Sequence, residues 1–288
     1  MRRLLLTIAA LCSVVAPTAA AATAGKPAVA GLQVALKRQH LYAGPIDGLS
    51  GPGTSAAIVA FQRRAGLTVD GIPGRQTRRA LGSFAAHGLG SRLMSVGVSG
   101  WDVAALQFAL AWHGFPSGDV TGNYNSHVAA AVRRFQQWAG LPETAIAGPL
   151  TLAALRRPLP TPPFKLSLPL NLPIADPFGP RHDRFHTGID VPAPTGTAVA
   201  AAGAGRVTAA GWSAGGWGYV VTIDHGGGVE SVAAHLSRVD VRVGARVQRG
   251  TRIGAVGATG DAQGPHLHFE VRLRGAAVDP LQTFGAYS

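Results

Sequence analysis

The sequence predicts a multidomain chain: an all-α N-terminal half made of two three-helix repeats, then a C-terminal domain that is mainly antiparallel β. Three observations carry this. Residues recur at a constant offset of 74, Leu32-Gln33 returning as Leu106-Gln107, Phe61-Gln62 as Phe135-Gln136, and Ala65-Gly66-Leu67 as Ala139-Gly140-Leu141, which marks a duplication. A proline-rich stretch, Arg157-Pro158-Leu159-Pro160-Thr161-Pro162-Pro163, divides the chain. Beyond it helical spacing gives way to short valine-rich runs broken by glycine, the pattern of strands and turns.

The first element is a predicted secretory signal over residues 1–24. Arg2 and Arg3 supply its positive end, residues 4–15 its apolar run, and small residues around Ala20-Ala21-Ala22 its cleavage site. The apolar run is too short to span a bilayer. Cys12, the single cysteine, follows Leu11, a poor fit to a lipoprotein box, and its removal leaves no disulfide and no thiolate ligand. The first repeat is placed at 25–84 and the second at 93–157. Within them Leu32 and Leu36, then Leu106 and Leu110, stand at i,i+4, while Ile58 and Phe61, then Val132 and Phe135, stand at i,i+3. Both spacings put apolar side chains on one helical face. Glycine-rich turns at 47–53 and 69–74 separate the helices of the first copy. Trp101, Trp112 and Trp138 read as packing residues before sugar-stacking ones.

The linker is placed at 158–173, where proline density predicts a stiff spacer that holds the halves apart. From 174 to 288 the sequence reads as β. Residues 219–225 and 229–235 flank Gly226-Gly227-Gly228 as a hairpin, and short strands are expected at 241–244 and 247–256. Along Pro265-His266-Leu267-His268-Phe269-Glu270 polar and apolar residues alternate. A strand there puts His266, His268 and Glu270 on one face and sends Leu267 and Phe269 into a core.

Net charge is +12, and loss of Arg2 and Arg3 with the signal leaves +10. A basic protein favours polyanions: nucleic acid, anionic lipid or the anionic polymers of a bacterial wall. The basic residues read as spread along the chain, and no nucleic-acid motif is present, so neither nucleic-acid binding nor stable membrane insertion is expected.

The chemistry gathers in five residues, His186, Asp190, His235, His266 and His268. Two imidazoles and one carboxylate fill three corners of a zinc tetrahedron, leaving a fourth for water and two further imidazoles to act on it. No His-Glu-x-x-His helix is present. The valine and glycine pattern also suits lipoyl carrier domains, but Lys26, Lys37 and Lys165 all precede the β region, which removes that reading.

At these residues the chain resembles the lysostaphin-type zinc metallopeptidases, which cut peptide bonds in peptidoglycan. The likeness runs over about 178–281 and rests on His186-x-x-x-Asp190, Pro194-Thr195-Gly196-Thr197, His235-Leu236-Ser237 and the block from Gly264 to Glu270. It implies a zinc ion (Zn2+) held by His186, Asp190 and His268, with His235 and His266 as the catalytic pair. The family commonly has Tyr where this chain has Ala233, which implies a missing substrate contact. Each N-terminal copy resembles short helical peptidoglycan-binding repeats, through Asp47-Gly48, Phe61-Gln62, Gly66-Leu67, Asp70-Gly71 and Thr77. The second copy departs at Thr121, which replaces Asp47, and Ala147, which replaces Pro73.

The resemblance implies a secreted zinc-dependent endopeptidase, extracellular or periplasmic, with peptidoglycan as partner and anionic wall polymers as a second candidate. The rivals are a non-catalytic or latent wall-binding relative, an activator of a separate amidase, and an amidase cutting the sugar–peptide amide. Glu270 reads equally as an acceptor for a ligand imidazole or as a solvated strand residue. His182 is a candidate for the cleft wall, His225 for a structural hydrogen bond, and His40, His87, His113 and His127 need no catalytic role.

Overall fold

A computed structural model describes residues 24–284. The predicted signal thus falls outside the described residues except for its last position. Three helices build each N-terminal copy: α1 (Pro27–Arg38), α2 (Pro52–Arg64) and α3 (Arg75–Ala80) in the first, α4 (Trp101–Trp112), α5 (Ser126–Trp138) and α6 (Pro149–Ala154) in the second. Proline opens α1, α2 and α6, where its missing N–H leaves no helical bond unmade. Asn125 caps α5 by accepting from the His127 and Val128 N–H groups. Just past α2 and α5 stand Gly66 and Gly140, both with positive φ, so the chain leaves the two helices in the same way.

The repeated glutamines explain why the duplication kept them. Gln62 is 1% exposed. Its Nε2 donates to Asp70 Oδ1 at 2.7 Å, Ile72 O at 3.0 Å and Thr77 Oγ1 at 3.2 Å, and its Oε1 accepts from Gly71 N at 2.9 Å. Gln136 repeats this with Thr144, Ile146, Thr151 and the N–H of Ala145. Each glutamine staples a turn to a helix and satisfies backbone groups no ladder reaches. Gln33 and Gln107 do the same for the turns at Gly48 and Gly122. Replacing Gln136 by Leu is expected to destabilise the chain by about 1–3 kcal/mol for each buried group left unpaired; thermal unfolding checks this, and an unchanged midpoint would contradict it.

Helix α4 is buried from Trp101 to Ala111, as a helix apolar on all sides must be. It packs on α1 and contributes Phe108 to the first repeat's core and Leu106 and Leu110 to the second's. At its end Trp112 meets Phe178 and Phe185 of the C-terminal domain, ring centroids 6.1 and 5.2 Å away.

The expectation that the linker holds the halves apart is corrected by these contacts. Lys37 pairs with Asp183, and Arg184 Nε lies 2.9 Å from Asp119 Oδ1. The Ile46 N–H donates to His182 O and the Val120 N–H to Asp183 O, both at 2.8 Å. Ile46 and Val120 are equivalent positions of the two copies, so the duplicated turns grip successive carbonyls of one hairpin. The physical reason is aromatic burial: Trp112 and Phe178, with residues 159–162 beside them, close a junction that proline stiffness cannot keep open. The three tryptophans pack. Trp101 lies against Gly31, and Trp138 stacks on Phe135 and donates to Leu273 O at 3.2 Å.

The C-terminal domain contains β1 (Gly179–Arg181), β2 (Arg184–His186), β3 (Ile189–Pro192), β4 (Ala198–Ala200), β5 (Gly205–Ser213), β6 (Gly218–Asp224), β7 (Val229–Val239), β8 (Arg246–Val247), β9 (Arg252–Val256), β10 (His266–Leu273) and β11 (Ala276–Val278). β1 and β2 form a hairpin, and the other nine form one antiparallel sheet with β10 between β7 and β3. The predicted glycine hairpin is β6–β7. Residues 241–244 form a turn and not the expected strand, and 247–256 is interrupted at 248–251: Val241 packs on the core from a loop, so its side chain is half-buried without a partner strand.

Candidate active site

Strand pairing assembles the five residues. On β10 the alternation holds, Leu267 and Phe269 lying in the core at 0% and 1% exposure, with His266, His268 and Glu270 on the opposite face. Asp190 on β3 stands directly opposite His268. His186 ends β2, and Gly188 lets the chain turn into β3 against β10, since a Cβ there would collide with the Phe269 carbonyl. On the other side β7 places Ala234 opposite His268, and the next residue is His235. The backbone there has φ +59°, an uncommon conformation for a side chain of this size. The His235 N–H is tied to Trp217 O at 2.9 Å, and the ladder shifts register beside it, which re-aims its imidazole toward β10.

The donor atoms converge. His186 Nε2, Asp190 Oδ1 and His268 Nδ1 lie within 4.8 Å of one another, with Asp190 Oδ1 3.1 Å from His186 Nε2 and 2.8 Å from His268 Nδ1. Their outer neighbours fix which nitrogen faces inward. His186 Nδ1–H donates to Pro177 O at 2.9 Å, and His268 Nε2–H to Glu270 Oε1 at 3.2 Å. With its inner nitrogen deprotonated, each ring would offer a lone pair to the centre. Two imidazole nitrogens and one carboxylate oxygen form a donor set that fits zinc.

The electrostatics agree. Burial by itself would raise the Asp190 carboxyl, but hydrogen bonds from His186 and His268, with Arg181 beyond, outweigh it and hold the group well below the usual carboxylate range. Burial opposes charge on His268 too, yet Asp190 and Glu270 draw it up to about 9. Two carboxylates thus demand a positive charge here, whether a proton or a metal cation. Glu270, 1% exposed, is an acceptor for the His268 ring and not a solvated residue. It also takes the Thr187 hydroxyl and Arg272 Nε, the latter at 2.9 Å.

Two imidazoles flank this trio. The His235 and His266 ring centroids are 4.8 Å apart, and His235 is 5.9 Å from His268. His235 Nδ1–H donates to Thr259 O at 2.8 Å and His266 Nδ1–H to Gly264 O at 2.9 Å, leaving Nε2 of each for a reactant. His266 Nε2 stands 3.7 Å from Asp190 Oδ1. Burial lowers the His235 pKa; His266 and His268 lower it further, while the Thr259 carbonyl opposes them. Its ring is therefore neutral at neutral pH and ready to accept a proton.

The remaining positions are placed as follows. His182 lines the cleft, which holds about 900 Å³. His225 is structural, its Nδ1–H donating to Ala204 O and its Nε2 accepting from Ser231 Oγ, both at 2.8 Å. Ala233 stands opposite Phe269 and lies in the core. A phenol at that position faces away from the cleft, so the expected loss of a substrate contact is corrected.

Sequence reasoning missed Trp217 and Arg272, and missed Arg181 as a partner of Asp190. Arg181 Nη2 bonds Asp190 Oδ2 at 2.6 Å and also pairs with Asp176. Trp217 borders His268 with centroids 6.2 Å apart, and the Arg272 guanidinium lies 5.0 Å from its ring. The only signal for Arg181 was its place in the polar run before His186.

Comparison with known proteins finds family matches in both halves of the chain. Residues 184–280 match peptidase family M23, and residues 25–81 and 99–155 each match a putative peptidoglycan binding domain. The chain is 46% identical over 114 residues to the DD-carboxypeptidase/endopeptidase Mpg of Neisseria meningitidis, covering 38% of this chain and 26% of that one. It is 40% identical over 97 residues to the peptidoglycan DD-endopeptidase ShyA of Vibrio cholerae, covering 34% and 22%. The catalytic domain of lysostaphin from Staphylococcus simulans aligns at a TM-score of 0.37 and 32% identity, over 38% of this chain and 90% of that one. The chain spans about a quarter of the length of these curated relatives.

Proposed function

From a chain that carries an M23 peptidase domain behind two peptidoglycan-binding domains, we propose a zinc-dependent endopeptidase that hydrolyses peptide bonds in bacterial peptidoglycan. The observation that carries it is the convergence of His186, Asp190 and His268 on one point, with two further imidazoles beside them. His186, Asp190 and His268 hold the zinc; bound there, it supplies Lewis-acid polarisation of the scissile carbonyl and lowers the pKa of the attacking water toward about 7.

The chain's own residues do the rest. His235, kept neutral by burial, takes the proton from water and returns it to the leaving amine. His266, anchored through Nδ1 to the Gly264 carbonyl, turns Nε2 toward the carbonyl oxygen on which charge develops. Glu270 fixes the His268 tautomer. Glu270→Gln is expected to weaken zinc binding about 10- to 100-fold, read by competition with a chromophoric chelator; unchanged affinity would remove Glu270 from this role.

The N-terminal pattern of Arg2, Arg3 and residues 4–15 supports export to the wall, and the positive charge supports contact with anionic wall polymers. No helix among the described residues is long and apolar enough to cross a membrane.

The test is digestion of purified peptidoglycan with and without a chelator, with zinc restored and products weighed by mass spectrometry. New stem-peptide termini that vanish on chelation and return with zinc are the expected result. Peptides released whole from the sugar chain would make the protein an amidase, and bound zinc without products would make it a wall-binding relative.

A further inference from the structure

We infer that the first repeat carries a binding site for a phosphodiester polyanion, separate from the peptidase cleft. A second cleft of about 710 Å³ lies between α3, the short turn of helix at Gly82–Ala85 and the starts of α1 and α4. Its walls include Arg75, Arg78, Arg79, Ser83, His87 and Trp101, and no acidic side chain lines it. Its volume falls in the range of about 300–1,000 Å³ usual for ligand clefts.

The three arginines are not there for the fold. They stand at i, i+3 and i+4 on α3, where like charges repel, and none of their guanidinium groups has an ion pair or hydrogen bond among the described residues. The duplication supplies an internal control. At the equivalent positions the second copy has Pro149, Leu152 and Ala153, yet α6 forms and is stapled by Gln136 to Thr151 as α3 is by Gln62 to Thr77. The charge is also uneven. Residues 25–92 carry nine Lys and Arg against two Asp, and residues 93–157 carry four against three acids. The expectation that the basic residues are spread is therefore corrected.

Guanidinium forks match phosphate oxygens two at a time, and three of them along one helix face suit a ligand whose anions repeat. A cleft admits a single strand, whereas a bilayer presents a flat face, so the ligand is a soluble phosphodiester-linked polyol polymer. The wall setting rests on the proposed function, but the site does not depend on the peptidase centre.

The test measures binding of a poly(glycerol phosphate) oligomer to the chain lacking residues 1–24, at several salt concentrations. Replacing Arg78 by Leu and Arg79 by Ala, as in the second copy, and Arg75 by Gln is expected to weaken binding at least about tenfold and flatten its salt dependence. The triple Arg→Lys variant, which keeps the charge and loses the forks, should bind at a level between the parent and the neutral variant, and thermal unfolding and peptidoglycan digestion should be unchanged in both. If the neutral triple variant does not fold, Arg78→Leu alone is scored, with about a threefold loss expected. Unchanged binding in the neutral variant, or no binding by the parent chain, would overturn the site. Binding to vesicles rich in phosphatidylglycerol without binding to the soluble polymer would replace it with a membrane surface. Tighter binding of a single-stranded oligonucleotide of equal charge would replace it with nucleic acid. Lost digestion with retained polymer binding would count against the proposed peptidase and leave this site standing.

Discussion

His268→Ala is expected to abolish zinc binding and peptidoglycan hydrolysis together. Removing the ring takes Nδ1 from the three-donor set and leaves two protein ligands, fewer than catalytic zinc sites use. It also strips the His268 contacts from Asp190 and Glu270, leaving Asp190 with His186 and Arg181 and Glu270 with Thr187 and Arg272. The loss of affinity should exceed the roughly 10- to 100-fold that removal of an outer partner costs. Metal content after dialysis and product mass after digestion are the two readouts. Because deleting a buried ring leaves a cavity that costs stability, Asp190→Asn serves beside it: the amide keeps the shape while removing the anionic ligand. A His268→Ala chain that kept one zinc and full activity would sink the ligand assignment.

How much of this was legible depends on the range of the interaction. The face shared by His266, His268 and Glu270 follows from period-two alternation, a local property of one strand, and it was read correctly. So was the helical content of each repeat, because apolar spacing at i,i+3 and i,i+4 reports a buried face. Arg181 was not legible as a partner of Asp190, since that contact depends on where the β1–β2 hairpin folds. That hairpin is gripped by Ile46 and Val120 from two other domains. The linker misled for a related reason: proline content speaks for stiffness but not direction, and Trp112 with Phe178 and Phe185 decides the direction. Gln62 and Gln136 were visible as repeats but not as staples, because their partners are backbone groups of turns. At Ala233 the resemblance implied a missing substrate contact; the positive φ at His235 breaks the alternation along the strand, and only strand pairing puts residue 233 in the core.

His235→Ala is expected to separate metal binding from turnover. The ring touches none of the three donors by hydrogen bond; its anchor is the Thr259 carbonyl, so zinc should remain at one per chain. Loss of the proton acceptor should lower kcat by about 10²- to 10⁴-fold, with KM little changed. The pH profile supplies the second readout. A base works only when deprotonated, so activity falls as pH drops through its pKa. Burial, with His266 and His268 adding to it, places that pKa below the ordinary histidine value of 6.5. The parent enzyme should therefore hold its activity at neutral pH and lose it only on the acid side, below about 6.5. In the variant this limb should flatten, because the group that titrates is gone. A limb that persisted unchanged in His235→Ala, with kcat reduced, would move the proton acceptor to His266, whose Nε2 faces Asp190 at 3.7 Å and whose own Ala variant would then remove the limb.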